Sequence, residues 1–179
     1  MESSGLPGFD GAMTTSNSTT SVLPVNPQPQ AVRRAIERRS VCTLATTSAA
    51  GWPHVATVAY GATSTDLWVS TLRNSRKARN LAHDARVAVC IPIRRLPVGP
   101  PSSVQFQSTA AVVGLDDPDL RALVEGRALG SVTSHGELEL EGGCFLRIAL
   151  PARLATFGLG LPLRRLIADP LAAGGHVAL

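Results

Sequence analysis

The chain is punctuated at short intervals. V-C-T-L-A-T-T-S (41–48) is followed by A-A-G-W-P (49–53), and H-V-A-T-V-A-Y (54–60) by G-A-T-S-T-D, before L-W-V-S-T-L (67–72). Runs of six to eight residues rich in β-branched side chains, divided by Gly, Pro, Ser and Asp, form strands joined by tight turns. Tight turns join antiparallel neighbours, so the first two runs make a hairpin. R-V-A-V-C-I-P-I (86–93) and V-Q-F-Q-S-T-A-A-V-V-G (104–114) continue the pattern, with G-C-F-L-R-I-A-L (143–150) and R-L-A-T-F-G-L (153–159) as the closing strands. In 104–114, Gln105, Gln107 and Thr109 alternate with Val104, Phe106 and Ser108, so one face of that strand meets water or a ligand.

Three helices interrupt the strands. A-V-R-R-A-I-E-R-R (31–39) sets Val32 and Ile36 four apart with charges opposite. S-R-K-A-R-N-L-A-H-D (75–84) has Ser75 as N-cap, and D-D-P-D-L-R-A-L-V-E-G-R (116–127) starts with Asp117 at the cap and Pro118 in the first turn. About seven strands with small helices predict a mainly β, mostly antiparallel, partly closed barrel. No GxGxxG follows a strand and no Walker loop is present, so the two common nucleotide folds are not supported. The three-proline segment 95–102 reads as a loop. Residues 1–29 read as a disordered tail without an apolar or arginine-bearing leader, residues 30–158 as the one domain, and residues 159–179, rich in Pro and Gly, as a loose tail.

Cys42, Cys90 and Cys144 are odd in number and form no CxxC pair, which indicates a reduced, cytoplasmic chain rather than a disulfide framework. No window approaches a membrane span. The net charge of +4 favours an anionic partner, but the arginines are not interleaved with stacking aromatics, which argues against nucleic acid. His54, His83, His135 and His176 show no metal-ligand spacing.

The seventeen basic residues include a single lysine, Lys77, in S-T-L-R-N-S-R-K-A-R-N-L (70–81). Arg76, Lys77 and Arg79 crowd the start of the helix and Asp84 its end, opposite to the preference of the helix dipole. A phosphate at that end would reverse the balance, accepting bonds from backbone N–H groups, Arg76 and Lys77, with the hydroxyls of Ser70 and Thr71 beside it; the alternative on pattern alone is a surface helix with solvated basic residues and a lysine left by chance. Lysine supplies a compact mobile charge where arginine supplies a planar fork.

That segment resembles the phosphate-binding stretch of the pyridoxamine 5′-phosphate oxidase-like flavoproteins, the FMN-binding split-barrel superfamily. R-N-L-x-x-D-x-R-V (79–87) is similar to the branch that uses the deazaflavin coenzyme F420. L-A-T-x-x-x-x-G-x-P-H-V (44–55) resembles the first hairpin of the family, and L-R-I-A-L-P-A-R-L (146–154) its closing strands. The resemblance covers roughly residues 31–158. It implies an FMN- or F420-dependent oxidoreductase acting on a small molecule, with the flavin in a groove between the subunits of a homodimer. It implies that Ser70, Thr71, Ser75, Arg76 and Lys77 hold the phosphate and ribityl end. Ala56, Thr57 and Val58 then offer backbone groups to the ring, and Ser103 stands where FMN members often carry Gln, with Gln105 and Gln107 as neighbours. Two positions depart from the vitamin-making oxidases, which carry Arg and Lys where this chain has Ala56 and Gly61, and their C-terminal substrate-gripping block is not recognisable. Pyridoxamine phosphate oxidase activity itself is therefore not expected. A non-catalytic flavin- or haem-holding barrel is the alternative. No catalytic side chain is assigned. Tyr60 reads as a half-exposed strand residue, Trp52 and Trp68 as packing or interface residues, and His54 as a surface residue near a turn.

Overall fold

The structure is a computed structural model that describes residues 27–93 and 102–179. Helix α1 spans Pro29–Glu37, with Pro29 at its first turn and Val32 and Ile36 buried. Strand β1 (Val41–Thr47) and β2 (Pro53–Ala59) form the expected hairpin, in register from Val41 opposite Ala59 to Thr47 opposite Pro53. Gly51 takes φ +80° in the turn, a conformation glycine adopts without strain. A two-residue strand, β3 (Gly61–Ala62), precedes β4 (Asp66–Leu72).

Helix α2 is Arg76–Leu81, shorter than 75–84. The Asp84 carboxylate accepts from the backbone N–H of Arg86 at 3.0 Å and from its guanidinium at 2.7 Å, so Asp84 belongs to a turn that ends the helix. The remaining elements are β5 (Arg86–Ile93), β6 (Ser102–Val113), α3 (Pro118–Glu125), β7 (Gly143–Ala149), β8 (Arg153–Phe157), α4 (Leu163–Ala168) and β9 (Gly174–Ala178). The α3 cap is as expected: Asp117 accepts from the Leu120 N–H at 3.0 Å.

All strand pairs are antiparallel, in the order β2-β1-β5-β6-β7-β4-β3, with β8 and β9 extending from β6. One edge of the long β6 pairs with β8 at 103–105 and with β7 at 110–113, so the sheet divides there. The two ends of the path, β2 and β3, are separated in the chain only by Tyr60. The sheet therefore curls until its ends almost meet, giving the mostly antiparallel, partly closed barrel that the strand pattern predicts.

The interior is aliphatic and receives one face of every long strand, including Leu44, Val58, Val69, Ile91, Val104 and Leu146. A second cluster, around Trp68, Leu120 and Phe145, sits under α3. There Arg147 bonds Asp66 at 3.1 Å and Asp119 at 2.9 Å and lies 5.3 Å over the Trp68 ring, tying α3 to the sheet.

Three sequence expectations are corrected. The segment 159–179 is not a loose tail: Leu161 and Leu166 pack with Ala173, and β9 pairs with β8 along its whole length. Pro and Gly there serve turns between elements, Gly158 with φ +67° packing against Ser102 and Leu166. Tyr60 is fully buried, not half-exposed, because it bridges the seam between β2 and β3 and donates its hydroxyl to the Ile36 carbonyl at 2.7 Å. Ser103 lies inside β6 rather than before it. The expected tail over 1–29 lies outside the described residues up to residue 26, as does the loop at 95–101.

Candidate functional site

The seam defines the site. The chain runs out along β2, turns, and returns along β4, so the end of β4 comes back alongside the middle of β2. Helix α2 follows β4 at once and packs against β1 and β6, with Ala78 and Leu81 in the main core cluster.

Four of the phosphate-binding candidates, Thr71, Ser75, Arg76 and Lys77, meet at the turn after β4. Ser70 and Thr71 end β4 and are half-buried; Ser75 caps α2, its hydroxyl accepting from the Ala78 N–H at 3.3 Å. The Thr71 hydroxyl donates to Ser75 Oγ at 3.2 Å, which brings those two hydroxyls together, whereas Ser70, paired with Phe145, faces the cluster under α3 on the other side of the sheet. Arg76 is exposed and Lys77 half-buried, and neither makes an ion pair among the described residues. Lys77 lies toward β7: burial pushes the Cys144 thiol up, while Arg73 and Lys77 pull it back down. Cys144 pairs with Thr71 across β4 and β7. At six residues α2 has little macrodipole, and the charge at this site comes from side chains.

On β2, Ala56 and Val58 turn inward beside Leu44 and Cys42, and Thr57 turns outward. β2 is the edge of the sheet, so the backbone groups of 56–58 that do not face β1 are open to a ligand. Ser103 is elsewhere. It pairs with Pro92 and Phe157 and accepts from Gln105 at 2.9 Å. Ala110, bonded to the Ala85 carbonyl just after α2, is seven residues further along β6, roughly 20 Å.

Gln105 and Gln107 instead line a groove of about 610 Å³ on the outer face of β1, β5, β6, β8 and β9, floored by Ala45, Ala88 and Ala155 and edged by Arg153 and His176. The same outer face carries Val41 and Val55, exposed at 43% and 61%, with Trp52 in the adjoining turn at 75%. His83 and His135 are exposed, and the His135 ring lies 3.2 Å from Ser134 Oγ and 3.6 Å from Glu137.

Beneath α2 is a polar contact that sequence reading missed. Asn80 donates from Nδ2 to Thr46 Oγ1 at 2.9 Å, with Asn80 5% and Thr46 2% exposed. His54 is the cross-strand neighbour of Thr46, half-buried rather than on the surface, and its Nδ1 is buried without a partner. The only available signal was a threonine at an inward position of β1, which the strand's alternation marks.

A half-open antiparallel barrel of this strand order defines a split-barrel protein. The chain belongs to the pyridoxamine 5′-phosphate oxidase family, whose sequence profile matches residues 28–137, more than half its length. Solved structures share the fold. The haem storage protein HutZ of Vibrio cholerae has TM-score 0.61 at 19% identity, over 72% of this chain and 94% of that one. A haem-binding protein of Mycobacterium smegmatis has TM-score 0.65 at 19% identity, over 86% of this chain but 59% of the other. An FAD-binding protein of Mesorhizobium loti has TM-score 0.56 at 17% identity, over 69% and 87%. No curated protein matches the sequence. Among the described residues no helix is long and apolar enough to cross a membrane.

Proposed function

We propose that this chain is a flavin-dependent oxidoreductase that holds FMN, or its deazaflavin counterpart coenzyme F420, at the seam and acts on a small molecule. The observation that carries the reading is the placement of Thr71, Ser75, Arg76 and Lys77 at one turn inside the family-matched segment. Two linked hydroxyls and two cations without a carboxylate partner among the described residues suit a phosphate. Arg76 supplies a fork, Lys77 a point charge, and the Thr71 and Ser75 hydroxyls a neutral rim. The open edge of β2 at Ala56, Thr57 and Val58 would take the polar edge of the ring. The bound flavin supplies hydride chemistry; the chain's part is to orient the ring and keep water from one of its faces. The outer face, with its flat alanine floor and exposed Val41, Val55 and Trp52, is the homodimer surface in this reading, which puts the Gln105–Gln107 groove beside a second subunit. The protein then works in the cytoplasm, without nucleic acid or membrane.

The second reading is a haem-holding protein. What favours it is His176, an imidazole at the rim of a groove with an apolar floor, together with the haem-binding proteins among the structural relatives.

Absorbance titrations of the purified protein with FMN, coenzyme F420 and haemin separate the two. The expected result is saturable binding of one flavin with a shifted visible spectrum. A sharp Soret band with haemin and no flavin binding would replace the first reading by the second.

A further inference from the structure

Asn80 and Thr46 are both more than nine-tenths buried, with His54 across the hairpin from Thr46, and Leu and Val approximate the two side chains in shape. A buried polar pair contributes little net stability over an apolar pair of equal shape. What it adds is direction. Ala78 and Leu81 hold α2 to the core by contacts that tolerate rotation and sliding, whereas a hydrogen bond of 2.9 Å does not.

The direction matters because of where Asn80 stands. Arg76 and Lys77 precede it by four and three residues, so all three share one side of a six-residue helix. Side-chain ends lie about 5–6 Å from a helix axis. A rotation of about 20° would swing the Lys77 ammonium by about 2 Å, far more than the spread of a hydrogen bond length. Thr46 belongs to β1, whose partner β2 carries the Ala56–Val58 edge. The Asn80–Thr46 bond thus links the cation-bearing helix to the hairpin that forms the opposite wall of the site.

We propose that Asn80 and Thr46 are positioning residues: their buried hydrogen bond sets the rotation of α2 and thereby aims Arg76 and Lys77 at the phosphate of the bound cofactor. The proposal rests on the flavin-phosphate reading above and deepens it.

The test compares binding of FMN with binding of riboflavin, which has the same ring without the phosphate. The variants are Thr46→Val with Asn80→Leu, Thr46→Val alone, and Thr46→Ser, which keeps the hydroxyl. The double variant is expected to unfold at the wild-type temperature or above, yet to lose about tenfold or more of the preference for FMN, while riboflavin affinity holds. Thr46→Ser should keep the preference and Thr46→Val should lose it. A double or single valine variant that folds and keeps the full preference for FMN overturns the proposal and leaves the flavin reading standing. Wild-type protein that distinguishes neither FMN from riboflavin nor coenzyme F420 from its phosphate-free deazaflavin removes the flavin-phosphate reading, and this proposal with it.

Discussion

Among single residues, Arg76 and Lys77 have the largest predicted effect on function. They are cations at the turn that holds the Thr71 and Ser75 hydroxyls, and neither makes an ion pair among the described residues. Charge-assisted bonds to a desolvated phosphate are each worth about 1.5–3 kcal/mol. Replacing both by alanine should weaken FMN affinity by about 2–5 kcal/mol, measured by fluorescence titration, while leaving the melting temperature nearly unchanged. Cys42 offers a second test at this scale. Burial, with Cys90 adjacent, pushes its thiol from about 9 up to about 12. The folded protein therefore keeps a proton that the unfolded chain releases above about pH 9, so stability falls with rising pH from there toward 12 and is insensitive to this group below 9. Thermal melts should be flat from neutrality to about pH 8.5 and decline above it, with a shallower decline in Cys42→Ala. Tyr60, also shifted upward by burial, adds to the same alkaline loss.

Single elements were legible where their signals are local. The caps at Ser75 and Asp117 and the first hairpin need only near neighbours to form, and the sequence shows all of them. The end of α2 was overrun because Asp84 looks helical until Arg86 draws it into a turn. The C-terminal segment was missed for a different reason. Pro162, Pro170 and the Gly174–Gly175 pair suppress any periodic pattern, and β9 is a strand because β8 offers it an edge. Leu166, 2% exposed in the small cluster that seats this segment, provides the check. Leu166→Ala should cost about 2–4 kcal/mol in denaturant unfolding, whereas a loose tail would lose nothing.

For the whole molecule, one exposed apolar surface among the described residues is the outer face of β1, β2, β5 and β6. Alanines there leave the sheet flat, and Val41, Val55 and Trp52 are exposed on and beside it. Ala88→Arg on that face should convert a homodimer to a monomer in sedimentation while the circular dichroism spectrum stays unchanged; a wild-type monomer would refute the assignment of this face. At this scale sequence and tertiary structure divide cleanly. Strand periodicity, caps and the S-R-K turn depend on residues a few positions apart, so the chain alone specified the antiparallel barrel and the position of its basic turn. Which faces meet depends on contacts across the fold: Asn80 reaching Thr46, Tyr60 reaching Ile36, β9 reaching β8, and Ser103 carried about 20 Å along β6 from the seam. No local pattern encodes those distances, because they follow from how far the sheet curls before its two ends meet.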